Sequence, residues 1–461
     1  MTPSGPYVHG ALVRFVRGGV PILEKHIPGT LLEVDIPSSV TFARTADGID
    51  IIENSDPMLE CCGRLALPWM SGRNYGVDYL HVPPPPPFSA EGVSVMWEAR
   101  NRLRIKHRPP TSADAAWSTL SASSLDNLSW IEMRSAVEAA VALLSAWPTD
   151  PVRIVKWAPV ESTRGRILVR DTERSKHLEV MGGRVPVRVA SAGSRRIERK
   201  LTGISVISAL VADRISSHEV FMKVAGTAGA ELSDLFRRVS MRSRPNGLSI
   251  DPPASTWPPR MRVLYSSCVR LLTQLEDAGA GESHAPLSEL WELYEGWVTE
   301  SILAALTRKC GEALRGESGI GWRWGAQEEQ WVLLEQADIP SKGPKVEPLN
   351  VLGTSLIGAV GASQPDVLLA HRKRGVTSLV VVDAKKRKKK MNPEDLTVSA
   401  SKYLWNIRDA SNVLNHALDA VFLAAPLGGP SSADPSGRSC AIFADPSEHS
   451  DFAEHLIEKL G

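Results

Sequence analysis

The sequence predicts a multidomain α/β protein. Its 461 residues exceed what one ordinary hydrophobic core accommodates, so two or three domains are expected. Apolar residues make up 43% of the chain and charged residues 23%, which is typical of a soluble globular protein. Short alternating apolar runs come first, helical patterns dominate the middle, and helices and strands are mixed in the last third.

Residues 1–150 are predicted to form a β-rich N-terminal domain. Short apolar runs such as ALVRFV and TLLEVDI are broken by Gly, Pro and Asp, as is typical of small β-sheet domains. The proline run at residues 83–87 predicts an extended polyproline II spacer. Helical spacing of apolar residues predicts a helix over residues 124–147.

Residues 151–280 are predicted to form a basic, mainly helical middle region. This segment carries a net charge of +10, whereas the whole chain carries +1. Residues 152–157 and 165–171 look like strands, and the rest is mostly helical. Two basic clusters lie there: Arg195, Arg196, Arg199 and Lys200, and then Arg237, Arg238, Arg242 and Arg244. Each cluster is either a solvated helix face or a set of phosphate contacts.

Residues 281–461 are predicted to form the last domain, after the Gly-rich segment 277–286. A strong helix over residues 286–310 carries Glu295 at the edge of its apolar stripe. Two strands, a hairpin turning at residues 372–375, a helix over residues 391–418, two more strands and a final helix follow. This order predicts a mixed sheet with helices on its faces.

The run SLVVVDAK ends a predicted buried strand with two charges. Asp383 and Lys385 lie on the same face because strand side chains alternate with a period of two. Asp366 begins the neighbouring strand of the hairpin. Burial penalises such charges unless they serve a purpose. The pattern therefore predicts either a functional site or a buried Asp–Lys pair that holds two strands together.

These residues resemble a known nuclease superfamily. Glu295 on a helix, Pro365-Asp366 and Asp383-Ala384-Lys385 resemble the PD-(D/E)XK nuclease core, with Asp where Glu is more common. The strings YEGW, QPD and IRDA resemble the nuclease subunit of McrBC-type modification-dependent restriction systems.

The resemblance implies a restriction-endonuclease-like αβββαβ core. It also implies a metal-dependent DNA endonuclease that serves as effector of a prokaryotic restriction or anti-phage defence system. A separate AAA+ NTPase is the implied partner protein, and the chain itself contains no GxxxxGK[ST] phosphate loop. An oligomeric assembly is compatible with the sequence.

The resemblance also implies the roles of the site residues. Asp366, Asp383 and the backbone carbonyl of Ala384 would bind Mg²⁺ (or Mn²⁺), which favours hard oxygen ligands. Lys385 would orient or deprotonate the attacking water and offset charge in the transition state. Glu295, on a helix packed against the same sheet face, would accept a hydrogen bond from metal-bound water or from Lys385.

A run of cations follows the proposed site. The residues predicted to bind nucleic-acid phosphates are Lys386, Arg387, Lys388, Lys389, Lys390 and Lys402, with Arg237, Arg238, Arg242 and Arg244 from the middle region. The alternative for the run is a solvated loop. On the helix after the DAK strand, either Lys402 or Tyr403 is expected to occupy the site.

Composition excludes several other classes of protein. The five cysteines are scattered and form no CxxC pair, which predicts a reducing cytoplasm and argues against a zinc module or disulfide framework. No uninterrupted apolar run of about 18 residues predicts a membrane span. Two alternatives to a DNA endonuclease remain: a nucleic-acid-binding assembly subunit that does not cut, and an RNase.

Overall fold

The structure is a computed structural model of a mixed α/β protein. It describes residues 8–56, 59–71, 74–107, 153–159, 166–167, 186–192, 207–218, 222, 230–237, 259–279, 285–315, 321–325, 328–343, 346–386, 388–430, 438–448 and 451–460. Five β-sheets lie within these ranges. No helix in this part of the chain is both long enough and apolar enough to cross a membrane.

Short strands fill residues 12–82, as the alternating apolar runs predict. They are β1 (Leu12–Arg17), β2 (Val20–His26), β3 (Thr30–Leu31), β4 (Val40–Arg44), β5 (Gly48–Glu53), β6 (Cys61–Ser71) and β7 (Asn74–Val82). One sheet has the order β2-β1-β5-β4. In a second sheet, β6 pairs with β3, with β7 and with the later strand β11 (Ser288–Glu289).

The proline run leads into a helix that packs on the C-terminal part of the chain. A turn closes at its end, where the Phe88 amide donates to the Pro85 carbonyl at 3.2 Å, so the prediction of a uniformly extended spacer is wrong. Helix α1 (Ala90–His107) follows and shares one hydrophobic cluster with the helix that begins at Leu290. The Phe88 ring meets Tyr294 of that helix edge-on at 5.4 Å.

The middle region contains strands as well as helices. Strands β8 (Arg153–Pro159), β9 (Arg166–Ile167) and β10 (Pro186–Ala192) form a sheet in the order β8-β10-β9. Residues 207–217 and 230–237 are helical, and helix α2 spans Pro259–Gly279. The predicted helix 124–147 and the cluster Arg195, Arg196, Arg199 and Lys200 lie outside the described residues.

The C-terminal region is built around a seven-stranded sheet. After helix α3 (Leu290–Cys310) come β12 (Leu314–Arg315), β13 (Gly321–Gly325), β14 (Glu329–Glu335), β15 (Leu349–Val351), β16 (Thr354–Gly358), β17 (Val367–Lys373), β18 (Val376–Ala384), helix α4 (Pro393–Leu404), β19 (Ile407–Asp409), β20 (Asn412–His416), β21 (Ala420–Ala425), β22 (Ser439–Phe443) and helix α5 (Phe452–Leu460). The sheet order is β12-β13-β14-β17-β18-β21-β22, with β21 parallel to its neighbours β18 and β22.

The predicted hairpin is present and has a tight turn. Strands β17 and β18 pair antiparallel, and only Arg374 and Gly375 connect them. Both residues have positive φ, at 49° and 82°. Two-residue hairpin loops require this backbone conformation because it matches the twist of the flanking strands. The turn fixes the register between β17 and β18.

The large sheet carries a hydrophobic core on each face. Val380 and Val382 of β18 are fully buried in a cluster with residues of α1 and α3. Leu379 and Val381, which alternate with them, are buried in a second cluster with residues of α4. Helix α3 and helix α4 therefore pack against opposite faces of β18.

One predicted helix is shorter than expected. The sequence predicts a helix over residues 391–418, but α4 ends at Leu404 and residues 407–416 form the β19–β20 hairpin. The start of α4 has the expected chemistry, because the Asn392 side chain accepts from the Asp395 amide at 2.7 Å and Pro393 follows it. At its other end, β19 pairs with β16, and this tertiary pairing overrides the local helical pattern.

Candidate active site

Three strand ends meet at one edge of the large sheet. Strand β14 ends at Glu335, which lies opposite Val367 at the start of β17. Val367 in turn lies opposite Val382 near the end of β18. Asp366 and Asp383 directly adjoin this row of paired residues, so the hairpin register brings the two carboxylates together.

The carboxylates of Asp366 and Asp383 have different hydrogen-bond partners. Oδ2 of Asp366 accepts from the Ala384 amide at 2.7 Å. Oδ1 of Asp383 accepts from the Tyr403 hydroxyl at 3.1 Å, and Oδ2 forms an ion pair with the Lys385 ammonium group. Asp383 is only 2% exposed, whereas the Lys385 side chain reaches solvent. The structure thus places Asp366, Asp383 and Lys385 side by side, as the sequence predicts.

Glu295 reaches this edge from the other side of the sheet. The sequence-based expectation put its helix on the same face as Asp383, and this is wrong. Asp383 alternates with Val382 and faces α4, whereas α3 packs with Val380 and Val382 on the opposite face. Glu295 lies near the sheet edge, where the Nε2 amide of Gln336 donates to its Oε1 at 2.7 Å.

Gln336 connects Glu295 to the strand that begins after Asp366. Its backbone amide donates to the Asp366 carbonyl at 2.9 Å, in addition to the side-chain bond to Glu295. Its φ of 43° lies in the left-handed region, which costs a residue other than glycine on the order of 1 kcal/mol or more. Sequence reasoning missed Gln336, although its position directly after the last residue of a strand was a usable signal.

The carboxylates at this edge disfavour one another's ionisation. Burial raises the pKa of Asp366 to about 8, and the charges of Asp383 and Glu295 contribute to the increase. Burial also raises the pKa of Glu295, against the hydrogen bond from Gln336, which lowers it. The pKa of the Tyr403 hydroxyl is raised by burial and by the nearby charge of Asp383. The site therefore concentrates more negative charge than its own cations offset.

The structure distinguishes between Lys402 and Tyr403 on helix α4. The Tyr403 hydroxyl, not the Lys402 ammonium group, contacts Asp383. Lys402 is exposed, and its Nζ lies 3.5 Å from the Tyr403 hydroxyl. Tyr403 therefore occupies the position beside the carboxylate, and Lys402 lies at its outer margin.

Part of the basic run is engaged by the N-terminal strands. Lys386 Nζ lies 3.4 Å from Oε2 of Glu60, and Lys388 Nζ lies 2.5 Å from Oε1 of the same residue. The Lys386 side chain is almost completely buried by this contact. Lys389 and Lys390 are exposed, and Arg387 lies outside the described residues.

The other predicted phosphate contacts lie away from the site in sequence. Arg237 is exposed at the end of a helical segment, where it donates to Ser216 Oγ at 3.0 Å and lies 3.8 Å from Asp234. The remaining predicted contacts of this cluster, Arg238, Arg242 and Arg244, lie outside the described residues.

The donors at the sheet edge are compatible with a divalent cation. No group of three or more His, Cys, Asp or Glu in the described part of the chain could by itself hold a metal ion. Asp366 and Asp383 contribute two carboxylates, and the buried Oδ2 of Asp383 accepts no hydrogen bond. A hard cation would offset the repulsion that raises the pKa of Asp366. The Ala384 carbonyl as third ligand stays a prediction.

Comparisons with known proteins give little further constraint. No family model matches the chain, and no curated protein matches it. A similar solved structure is described as a refined half-complex from a tetradecameric assembly of Thermococcus gammatolerans McrB AAA+ hexamers with bound McrC. The similarity covers 84% of this chain and 73% of that chain, at 10% identity and a TM-score of 0.28. A TM-score this low does not establish a common fold.

Proposed function

We propose that this chain is a metal-dependent nuclease of the PD-(D/E)XK type that hydrolyses DNA phosphodiester bonds. The observation that carries the proposal is the convergence of Asp366, Asp383 and Lys385 at the end of one hairpin. The order α3, β14, β17, β18, α4 and β21 is compatible with the αβββαβ core that the sequence resemblance implies.

The proposed chemistry assigns a cation to the two aspartates. Asp366, Asp383 and the carbonyl of Ala384 would hold Mg²⁺ or Mn²⁺, which supplies Lewis acidity toward the phosphate and lowers the pKa of a bound water. The ionised form of Asp366 is the form that binds a cation, so its raised pKa makes metal affinity increase with pH up to about 8.

The remaining residues position water and protons. Lys385 reaches solvent beside Asp383, so its ammonium group is placed to orient the attacking water and to stabilise negative charge on the phosphoryl oxygens. Glu295, whose pKa is raised by burial, can hold or accept a proton near neutral pH. Tyr403 holds one oxygen of Asp383 through its hydroxyl and leaves the other oxygen free of hydrogen bonds.

The proposed biological role is that of an effector in a prokaryotic restriction or anti-phage defence system. A separate AAA+ NTPase would supply translocation or activation, since the sequence has no phosphate loop of its own. The sequence resemblance to McrBC-type nuclease subunits supports this role. Adding the AAA+ protein encoded beside this chain, with a hydrolysable nucleotide, should accelerate DNA cleavage.

A cleavage assay tests the proposed activity. DNA and RNA of the same sequence are incubated side by side with Mg²⁺, with Mn²⁺ and with EDTA. We expect DNA cleavage that needs a metal ion, and a loss of at least ~100-fold in Asp383→Asn and in Lys385→Ala. Glu394→Gln and Lys459→Ala remove exposed charges elsewhere and should leave the rate unchanged.

The competing function is a nucleic-acid-binding subunit that does not cut. The ion pair between Lys385 and Asp383 favours it, because that pair also satisfies the requirements of a purely structural contact. Binding of DNA without metal-dependent cleavage by the wild-type chain, with and without its AAA+ partner, would establish this alternative. Cleavage that survives both substitutions would exclude the proposed site.

A further inference from the structure

An exposed stripe on helix α4 combines apolar and cationic side chains. Val398, Lys402 and Trp405 follow one another at spacings of four and three residues, which places them on one side of the helix. Val398 is 66% exposed and Trp405 is 63% exposed. We call these three residues the α4 stripe. Fully burying a side chain as large as Trp405 would be favourable, so its exposure suggests an occupant.

A second exposed apolar residue is held next to the end of the stripe. Val360, at the tip of the loop 359–363, is 91% exposed. Its amide donates to Asn406 Oδ1 at 2.7 Å, and the Ala359 amide donates to the Asn406 carbonyl at 2.7 Å. Asn406 Nδ2 also donates to the Gly361 carbonyl at 2.8 Å. Val360 is therefore presented to solvent on a fixed loop.

The stripe is continuous with the candidate active site. Lys402 Nζ lies 3.5 Å from the Tyr403 hydroxyl, which donates to Asp383. The loop that carries Val360 also leads into Asp366, because Ser363 of that loop accepts from Asn406 Nδ2 at 2.7 Å. An occupant of this surface would thus extend directly into the edge of the sheet where the carboxylates meet.

The charges on this surface match a nucleic-acid strand. Lys402 lies on the stripe, and the Arg408 guanidinium group lies 5.8 Å from the centre of the Trp405 ring. Arg408 Nε also donates to the Trp405 carbonyl at 3.0 Å, which fixes the cation near the ring. An exposed indole with flanking cations is suited to stack a base and to contact the adjoining phosphates.

We propose that Val360 and Trp405 hold an unstacked base of the substrate strand, next to the phosphodiester that is cut. This inference rests on the proposed function and specifies its substrate as a single strand, or a duplex whose bases separate locally. A fully paired duplex keeps its bases stacked and has to expose one at an energetic cost before it fits. A protein partner could cover the same residues, and it is excluded or established by the experiment below.

Binding to intact oligonucleotides provides the test. Asp383→Asn serves as the background, so that the strand is not cut during the measurement. Fluorescence anisotropy compares a single strand, a fully paired duplex and a duplex with a central mismatched bubble. We expect Trp405→Ala to weaken binding of the single strand and of the bubble by about 5- to 100-fold. Trp405→Phe keeps an aromatic ring and should retain most of the affinity.

A spectroscopic measurement and a matched control separate stacking from a general loss of structure. A 2-aminopurine base moved along the strand should change its emission at one position, and Trp405→Ala should remove that change. Val376→Ser alters an equally exposed valine (70%) at the opposite end of β18 and should leave affinity unchanged. Thermal unfolding of each variant verifies that the fold persists.

The outcomes distinguish this inference from the proposed function. Unchanged affinity and 2-aminopurine emission in Trp405→Ala would overturn the inference and assign the surface to another occupant, such as a protein partner. An equal loss of affinity in Val376→Ser would also overturn it. Binding that depends on Trp405, without metal-dependent cleavage by the wild-type chain, would leave the inference standing and overturn the proposed nuclease.

Discussion

Buried carboxylates occur in two regions of this protein, and their surroundings differ. Where β5 and β6 adjoin the start of α3, Glu53 accepts from Arg17 Nε at 2.6 Å and from the Cys61 amide at 2.6 Å. Glu289 accepts from the Ser39 amide at 3.1 Å. Burial acts to raise the pKa of Glu289, but hydrogen bonds, the largest from Ser39, bring it below the ordinary value. These carboxylates are matched by donors, as expected where charge serves stability.

The edge of the large sheet shows the opposite balance. There the pKa of Asp366 and that of Glu295 are both raised, first by burial and then by neighbouring carboxylates. Lys385 is the cation paired with Asp383, and it is partly exposed. The same chain pairs its structural carboxylates well, so this imbalance is not a general property of its packing. Groups of buried carboxylates with raised pKa values are typical of functional sites.

Glu60 joins the two regions. Its carbonyl accepts from the Leu290 amide at the start of α3, and its carboxylate holds Lys386 and Lys388. The N-terminal strands are therefore attached both to the helix that carries Glu295 and to the basic run after Lys385. This contact couples the position of the basic run to the N-terminal strands.

The largest expected difference between the two regions concerns stability. Glu53→Gln should lower the free energy of unfolding by about 2–4 kcal/mol, because it leaves the mostly buried Arg17 without its anion. Asp383→Asn should change it by less than about 1 kcal/mol, because it removes one of several mutually repelling charges. Urea unfolding at neutral pH in EDTA measures both. A loss as large in Asp383→Asn as in Glu53→Gln would make the Asp383–Lys385 pair structural.

A second difference concerns pH. The pKa of Asp366 is about 8 in the folded protein and near 3.8 when unperturbed, so the folded state retains a proton that the unfolded state releases. Stability should therefore decrease as pH rises from about 4 to 8 in the absence of metal. Asp366→Asn cannot ionise and should be more stable than wild type at pH 8 by about 2 kcal/mol, a figure reduced for partial solvent exposure.

Metal ions provide the control for this pH effect. Mg²⁺ or Mn²⁺ binds the ionised carboxylates, so it should restore the stability of the wild type at pH 8 and have little effect at pH 5. Asp366→Asn should lose most of the metal-induced increase in melting temperature. If melting temperatures of wild type and Asp366→Asn respond identically to pH and metal, Asp366 is not a ligand.

The sequence predicts this site well where the contacts are local. Asp366, Asp383 and Lys385 belong to one hairpin, and strand periodicity together with a two-residue turn fixes their proximity. Contacts between distant segments escaped prediction. The side of the sheet from which Glu295 approaches depends on which face α3 covers, and no local pattern encodes that choice.

Two other elements show the same limit. The capping chemistry of Asn392 predicts the start of α4, but its end depends on the pairing of β19 with β16. The run after Lys385 looks like a solvated or phosphate-binding loop, yet Glu60 buries one of its lysines. In both cases residues far apart in the sequence determine the outcome, so the local pattern was correct and incomplete.

A smaller effect is expected at the contact between the two regions. Glu60→Gln should destabilise the protein by about 1–2 kcal/mol, because the buried Lys386 loses its anion. It should also free Lys386 and Lys388 for phosphates, so the salt dependence of DNA binding should become steeper by one to two counterions, about −0.9 per contact. Glu91→Gln removes an exposed carboxylate from α1 and serves as control. An unchanged salt slope would show that these lysines stay away from the nucleic acid.

The smallest effect is expected at Gln336. Its amide donates to Glu295 and lowers the pKa of that carboxyl, against the larger effect of burial. Gln336→Leu should therefore raise the pKa of Glu295 further, by up to about one unit for a single lost hydrogen bond. The measurement is the pH dependence of metal-activated cleavage, in which the acidic limb should move to higher pH.

A neighbouring glutamine provides the matched control for this last prediction. Gln364→Leu removes a side chain that donates only to the Gln336 carbonyl, at 3.4 Å, and does not contact Glu295. Its pH profile should match that of wild type. A purely structural role of Gln336 would lower the rate of Gln336→Leu equally at every pH. A shift of the acidic limb in Gln336→Leu alone would therefore show that Glu295 ionises during the reaction, as a carboxylate with a structural role has no need to do.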